Sequence, residues 1–286
     1  MKHLRSLLAC AALISAIVPT MVIAKDDFTP QVGQSGKDVI WVPTPDVLVE
    51  RMLRMAQVTP SDVVVDLGSG DGRIVIAAAK LFNTKARGIE YNADMVALSR
   101  RNAEKAGVSE LARFEQGDIF KTDFSNATVV TMYLLPSLNL KLRPILMRMK
   151  PGTRLVSHQF TMGDWEADEI STVENRPGYL WIVPANAGGN WTLSIGNANT
   201  EVSIDQTYQK IVGSARFPKV QATFREARVR GDQIMFGLMD EQGVLRQFVG
   251  TIRGDRIEGT ATGPNGATPF TMTRQGIAPA IRGSQA

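Results

Sequence analysis

A glycine-rich turn is the part of the sequence whose residue types most clearly indicate chemistry. Residues 63–65, all valine, are followed by Asp66-Leu67-Gly68-Ser69-Gly70-Asp71-Gly72-Arg73 and then by a helical pattern. Glycine has no Cβ, so a turn of this kind at a helix start lets backbone N–H groups approach a ligand closely. The turn therefore predicts a site of the nucleotide-binding type.

Two common phosphate-binding patterns do not fit this turn. Counted from Gly68, a dinucleotide fingerprint requires glycine at position 73, where the sequence has Arg73. The Gly-Lys-Ser/Thr of a phosphate loop is also missing. Asp66 and Asp71 flank the glycines instead, and two carboxylates repel phosphate groups. We therefore expect a ligand that carries an amino group or a positive charge.

Two further carboxylates follow the next two predicted strands. Glu90 stands 24 residues after Asp66, a position from which a carboxylate can accept hydrogen bonds from both hydroxyls of a ribose. Each such bond contributes about 1.5–3 kcal/mol. Asp118 ends the next strand, where it suits an adenine amino group, with Ile119 beside the ring. An adenosine without phosphate and with a cationic amino-acid tail is S-adenosylmethionine, which we predict as the cofactor.

These motifs resemble those of the class I S-adenosylmethionine-dependent methyltransferases over residues 38 to about 165. Residues 66–72 resemble the glycine-rich motif of that family, Glu90 its ribose acid and Asp118 its adenine acid. The residues that we predict to bind the cofactor are Asp66, Gly68, Ser69, Gly70, Asp71, Gly72, Glu90, Asp118 and Ile119.

A narrower resemblance indicates the methyl acceptor. Residues 42–45, 66–76, 133–136 and 150–152 are similar to the lysine methyltransferases related to the mitochondrial ATP synthase c-subunit enzyme. The resemblance implies N-methylation of a lysine or another amine, so that the partner would be a protein lysine or a small amine. No residue after position 184 contributes to it.

The strand end Tyr133-Leu134-Leu135-Pro136 is the candidate slot for that amine. Methyl transfer from a sulfonium is an in-line displacement, so the protein must align a nucleophile about 3 Å from the methyl carbon and exclude water. A dedicated general base is therefore optional. An aromatic face and backbone carbonyls favour an amine, and we predict Tyr133, Leu134, Leu135 and Pro136 as catalytic residues, with no metal site.

Other interpretations stay open for single residues. Asp118 could cap the next turn, Tyr133 could belong to the core, and Thr44 could simply begin a helix. His158 and Trp165 suit packing or hydrogen bonding better than the role of a base. For the whole chain, the alternative is an exported non-catalytic binding module that keeps the methyltransferase fold as a scaffold.

The elements that must position these residues are strands, predicted from short apolar runs, and helices, predicted from a helical spacing of apolar residues. Up to about residue 184 they predict an α/β fold, a doubly wound and mostly parallel sheet of the Rossmann-like methyltransferase type, with helices over 46–57 and 138–149. From Trp191 onward, alternating residues and regular glycine turns predict a small antiparallel all-β domain, a meander or barrel. Arg230-Gly231-Asp232 and Arg253-Gly254-Asp255 fit tight hairpin turns.

The predicted organisation begins with an export signal. Lys2 and Arg5 precede an apolar run over residues 7–24, which indicates a signal peptide cleaved after Ala24 and a periplasmic protein. The alternative is an uncleaved anchor in the inner membrane, the only case in which we expect membrane contact. The predicted units are a signal peptide (1–24), a flexible lead-in (25–37), the methyltransferase domain (38–186), the β-rich domain (187–275) and a tail (276–286).

Composition narrows the classes of partner and site. The chain is 44% hydrophobic and 21% charged, as in ordinary globular proteins. Cleavage would remove His3 and Cys10 and leave His158 without any cysteine, which excludes Cys/His zinc sites, disulfides and a cysteine nucleophile. It would also lower Lys+Arg from 32 to 30 against 28 acids, a net charge of about +2. With no basic block, we expect no nucleic-acid partner.

Overall fold

The computed structural model describes residues 28–283, and the predicted signal peptide lies outside these residues. The described chain forms two sheets, of which the first has seven strands in the order β3-β2-β1-β4-β5-β7-β6. Strands β1 to β5 pair in parallel, whereas β7 is antiparallel to β5 and β6 antiparallel to β7. The strands are β1 Val63–Leu67, β2 Lys85–Glu90, β3 Ala112–Gln116, β4 Val129–Met132, β5 Arg154–His158, β6 Glu169–Val173 and β7 Arg176–Ile182.

Four helices cover the two faces of this sheet, which confirms the prediction of a doubly wound, mostly parallel α/β fold. Helices α1 (Asp46–Met55), α2 (Arg73–Phe82) and α3 (Ala93–Lys105) share one apolar core with one face of the sheet. Helix α4 (Pro136–Leu146) packs on the other face together with Trp165 and Trp181. Among the described residues, none of the helices is long and apolar enough to cross a membrane.

The bounds of helices α1 and α4 differ from the predicted ones, and the end of α4, predicted at residue 149, lies at Leu146. Helix α1 was predicted to reach Gln57, but that residue has a left-handed backbone (φ 51°) and the helix ends at Met55. Helix α4 begins at Pro136, two residues earlier than predicted. Proline suits a first helical position because its φ is already helical and the N–H that it lacks would have no partner there. Pro136 is therefore the start of a helix rather than part of the preceding strand.

The second sheet closes on itself as an antiparallel barrel, which confirms the predicted all-β unit. Its strand order is β11-β10-β12-β13-β14-β15-β16-β8-β9, and β9 also pairs with β10. Large apolar side chains fill its interior, among them Trp191, Phe236, Phe248 and Phe270. The strands are β8 Gly189–Ile195, β9 Ala198–Thr207, β10 Lys210–Arg216, β11 Gln221–Thr223, β12 Arg225–Arg230, β13 Gln233–Met239, β14 Leu245–Arg253, β15 Arg256–Gly263 and β16 Gly266–Gln275.

The barrel and the first sheet share a buried junction. Tyr208, in the turn between β9 and β10, is only 3% exposed and belongs to the same apolar core as α4. Its ring stacks on Trp165, with centroids 5.7 Å apart. Its hydroxyl lies 3.0 Å from both Asp164 Oδ1 and the carbonyl oxygen of Gly283. In the described part of the predicted tail, Gly283 contacts Tyr208 and Arg282 pairs with Thr207, so that this part lies against the barrel.

Both Arg-Gly-Asp triplets form hairpin turns, as predicted, with φ 60° at Gly231 and at Gly254. Their surroundings differ. A Cβ atom on Gly231 would lie 3.1 Å from the Cα atom of Gly152 in the first unit, whereas one on Gly254 would have nothing within 4 Å. The first turn is therefore part of the junction, and the second faces open space.

These two turns make a matched pair for a stability test. We expect Gly254→Ala to lower the free energy of unfolding by about 1–2 kcal/mol, the cost of alanine in the left-handed region. Gly231→Ala should lower it by about 1–3 kcal/mol more, because the new methyl group must displace the backbone at Gly152. Urea denaturation of both variants measures the difference, and equal losses would contradict the packing of this turn on the first unit.

Candidate active site

The carboxyl ends of strands β1, β2, β3 and β4 open into a cavity of about 250 Å³. Most of the residues that we predicted from the sequence line it. From the predicted cofactor set these are Asp66, Gly68, Ser69, Gly70, Asp71, Glu90, Asp118 and Ile119, and from the predicted acceptor set Tyr133, Leu134 and Leu135. Gly72 and Pro136 lie next to the cavity in the chain but do not line it.

The glycine turn adopts a backbone that side chains would oppose. Gly68, Gly70 and Gly72 have φ angles of 77°, 54° and 85°, all in the left-handed region. A Cβ atom on Gly72 would lie 2.7 Å from side-chain atoms of Ser99 and Phe114, so this glycine is needed for close packing behind the turn. Gly68 and Gly70 form a cradle that lines the cavity, and a Cβ atom on Gly70 would lie 2.7 Å from Nε1 of Trp41.

Asp66 is the buried carboxylate of the site. It is 3% exposed and accepts a hydrogen bond from the hydroxyl of Thr131 on β4, 2.7 Å away. Burial, together with the charges of Glu90 and Asp71 and against the hydrogen bond from Thr131, raises the pKa of Asp66 to about 7. A cation next to Asp66 would stabilise its ionised form.

Glu90 is held by backbone N–H groups on both of its oxygens. Oε2 accepts from the N–H of Gly70 at 3.0 Å, and Oε1 accepts from the N–H of Asn92 at 2.9 Å. Asn92 caps helix α3 by accepting hydrogen bonds from the N–H groups of Asp94 and Met95. The Glu90 carboxylate is thus fixed between the glycine turn and the start of α3, with lone pairs left for hydroxyl donors.

The other two acids of the site are paired with cations. Asp71 forms an ion pair with Arg73, whose Nη2 lies 2.7 Å from Oδ2. Asp118 accepts from the N–H of Phe120 and from Nζ of Lys37, both at 3.0 Å. The backbone bond and then the lysine hold the pKa of Asp118 below its usual value. Both cations that line the cavity are therefore paired, and its carboxylates, Asp38, Asp66, Asp71, Glu90 and Asp118, outnumber them.

Sequence reasoning missed the segment that covers the cavity. Gln34, Lys37 and Trp41 line it, although we had placed residues up to 37 in a flexible lead-in. Two backbone hydrogen bonds, Gly33 N–H to Trp41 O and Trp41 N–H to Gln34 O, close the segment into a loop. Lys37 also lies over the ring of Tyr91, 4.7 Å from its centroid. A tryptophan next to this polar run was the sequence signal that could have revealed the cover.

The predicted acceptor residues lie where β4 passes into α4. The ring of Tyr133 lies against that of His158, with centroids 3.9 Å apart, and parallels that of Phe160 at 6.1 Å. Leu134 is buried against Gly68, and Leu135 caps α4 and is 40% exposed at the rim of the cavity. Tyr133 and Phe160 thus give one side of the cavity an aromatic wall.

The groups lining the cavity fit S-adenosylmethionine better than a phosphorylated nucleotide. The glycine cradle lines the cavity, and the buried hydroxyl of Ser69 has no hydrogen-bond partner among the described residues. Both cationic side chains that line the cavity, Lys37 and Arg73, are paired with carboxylates. Asp66 can receive an ammonium group and Glu90 the hydroxyls of a ribose, whereas a phosphate would meet their negative charge.

Comparison with known proteins identifies methyltransferases. The model of the ANTKMT methyltransferase domain matches residues 66–169. A protein-lysine N-methyltransferase of Saccharolobus islandicus is 46% identical over 151 residues, 51% of this chain and 94% of that protein. The adenine nucleotide translocase lysine N-methyltransferase of Mus musculus is 31% identical over 58% of this chain and 68% of that protein.

Two further similar proteins also match about half of this chain. The human ATP synthase c-subunit lysine N-methyltransferase is 35% identical over 46% of this chain and 56% of that protein. A crystal structure of an RNA methyltransferase from Salinibacter ruber, in complex with S-adenosyl-L-homocysteine, is 53% identical and covers 50% of this chain and 94% of that one, with a TM-score of 0.49. The family model ends before β7, so it does not include the barrel.

The raised pKa of Asp66 generates a test of the site. If Asp66 receives the ammonium group of the cofactor, its ionised form binds better, and that form increases as the pH rises through about 7. We expect the affinity for S-adenosylhomocysteine, which has the same amino-acid tail, to rise about tenfold between pH 6 and pH 8. Isothermal titration calorimetry measures this dependence.

The control for this test is Asp66→Asn, which keeps an oxygen for Thr131 and removes the titrating group. This variant should bind more weakly at pH 8, and its affinity should change little between pH 6 and pH 8. A tenfold dependence that persists in Asp66→Asn would contradict the assignment of the ammonium group to this carboxylate.

Proposed function

Because this chain belongs to the protein-lysine N-methyltransferase family, we propose that it methylates the ε-amino group of lysine side chains in a protein. It is an S-adenosylmethionine-dependent methyltransferase. The observation that carries the proposal is the placement of Asp66, Glu90 and Asp118 around one glycine cradle, next to an aromatic wall. The alternative of a non-catalytic exported module is not supported by the similarity to enzymes of this family.

The residues around the cradle would divide the cofactor among them. Glu90 would accept hydrogen bonds from the ribose hydroxyls, since its carboxylate is already fixed by two backbone N–H groups. Asp118 and Ile119 would bind the adenine, with Lys37 above them, and Asp66 would receive the ammonium group. When bound, S-adenosylmethionine supplies an electrophilic methyl group on a positively charged sulfur.

The wall of Tyr133 and Phe160 would hold the acceptor. A lysine ammonium that enters between apolar and aromatic groups loses water, and desolvation favours its neutral form, which is the nucleophile. Leu134 and Leu135 would keep water out of the slot, and alignment of the amine with the methyl group supplies most of the rate. The aromatic faces would also stabilise a methylated ammonium product through cation–π contact.

Transfer of a labelled methyl group tests the proposed function. We incubate the purified protein with S-adenosylmethionine labelled in its methyl group and with protein extract from its source cells. Label should appear in methylated lysine after acid hydrolysis. Glu90→Ala should reduce the incorporation at least tenfold, because the cofactor loses about 1.4 kcal/mol or more of binding, whereas the exposed helix variant Lys80→Ala should retain it.

The other possible acceptors are measured in the same assay. Parallel reactions contain extracted RNA or a mixture of small amines in place of protein. Label that appears in either of these and never in protein would contradict the proposal of a protein lysine as the acceptor.

We further propose that the enzyme is exported. The support is the basic start at Lys2 and Arg5, the apolar run over residues 7–24, and the polar residues that begin at Lys25. Cleavage after Ala24 would place the enzyme in the periplasm, and retention of the run would anchor it to the inner membrane.

The amino-terminal sequence of the processed protein tests this proposal. Produced in a Gram-negative host with a carboxyl-terminal tag, the protein should begin at Lys25 and be released by osmotic shock. Leu13→Arg, which interrupts the apolar run, should keep the intact chain in the cytosol. An intact amino terminus in the membrane fraction would favour the anchor, and intact wild-type protein in the cytosol would contradict export altogether.

A further inference from the structure

A buried hydrogen bond lies behind the aromatic wall of the cavity. Thr44 Oγ1 and His158 Nδ1 are 3.0 Å apart, and both side chains are almost completely buried. The ring of Tyr133 packs against the imidazole, with 3.9 Å between centroids and 37° between planes. Thr44 therefore holds His158, and His158 supports the ring that faces the cavity.

The same threonine is also bound to the glycine turn. Its carbonyl oxygen accepts a hydrogen bond from Nη1 of Arg73 at 2.9 Å. Arg73 in turn donates to Asp71, among others from Nε to Oδ1 at 3.0 Å and from Nη2 to Oδ2 at 2.7 Å. A continuous series of contacts thus joins the cofactor side of the cavity, at Asp71, to the acceptor side, at Tyr133.

The imidazole is uncharged in this position. Burial, and then the positive charge of Arg176, lower the pKa of His158 to about 4. At neutral pH the ring is therefore a flat neutral surface for Tyr133 and places no positive charge behind the slot for an ammonium group. With Nδ1 engaged by Thr44, it is a support rather than a base.

We propose that Thr44 and His158 are positioning residues for methyl transfer, which fix the ring of Tyr133 as the wall of the acceptor slot and link it to the glycine turn. The proposal rests on the proposed function. The proposal gives the segment before α1 a second role in the reaction, besides covering the cofactor. Thr44 belongs to this segment and contacts His158 on the acceptor side and Arg73 on the cofactor side of the cavity.

Three variants and one control separate the hydrogen bond from the shape of the side chains. Thr44→Val keeps the size of the side chain and removes the hydroxyl, and Thr44→Ser keeps the hydroxyl. His158→Asn keeps a polar atom for Thr44 and removes the ring that supports Tyr133. The control is Thr84→Val, which removes another fully buried threonine hydroxyl, bound to the carbonyl of Asp62 at the amino end of β2.

Kinetics give the first measurement. We expect Thr44→Val and His158→Asn each to lower kcat for methyl transfer at least tenfold, while the Kd of S-adenosylhomocysteine changes less than threefold. Thr44→Ser should stay within threefold of the wild-type kcat, and Thr84→Val should lose stability and retain kcat. Wild-type kcat in Thr44→Val would overturn the proposal.

Fluorine NMR gives a measurement that does not need methyl transfer. The chain has four tyrosines, so the protein labelled with 3-fluorotyrosine gives few resonances, and Tyr133→Phe assigns the one of interest. Thr44→Val and His158→Asn should shift or broaden the Tyr133 resonance, whereas Thr84→Val should not. If the wild-type protein methylates no acceptor, the proposed function is wrong. The Tyr133 resonance still tests whether Thr44 and His158 hold the ring in place. An unchanged resonance in both variants would overturn it.

Discussion

The left-handed glycine turn between β1 and α2 is the constraint on which the rest of the site depends. Only glycine adopts φ angles of this kind without steric cost, and three of them within five residues let the chain leave a buried strand and enter a helix at once. The turn brings the N–H of Gly70 to the carboxylate of Glu90 on the neighbouring strand. A side chain at Gly72 would push the turn away from α3 and β3, and the acids at the three strand ends would then no longer surround one cavity.

The distribution of charge around this turn selects the class of ligand. The two cations at the cavity, Lys37 and Arg73, are engaged by Asp118 and Asp71. A phosphate would have to compete with those carboxylates for its counter-charge. Asp66 faces the cavity with a raised pKa, a state that an ammonium group relieves and an anion worsens. The preference for a cationic nucleoside therefore follows from which charges are already paired, and not from the number of acids alone.

Local sequence patterns predicted the residues at the strand ends. They could not predict contacts between residues that are far apart in the chain. Asp66 and Glu90 end apolar runs of the chain, so alternation of strands and helices was enough to bring their positions together. Lys37 meets Asp118 across 81 residues of sequence, and nothing near Lys37 in the chain indicates that contact. Thr44 could equally have been the start of a helix, because its bond to His158 exists only once β5 is in the sheet. The fold and the cofactor side were thus accessible from sequence, whereas the cover over the cavity was not.

The barrel has a physical connection to the acceptor side of the site through α4. This helix begins at Pro136, directly after the slot residues, and its buried Arg143 is bound by Asp164 and lies under the ring of Tyr208 from the barrel. The barrel thereby covers part of the sheet face that α4 alone leaves open, with Trp165 stacked between the two units. Because a buried guanidinium is costly without its partners, the position of α4 depends on Tyr208 and Asp164. The barrel is thus a support for the helix whose first turn borders the slot.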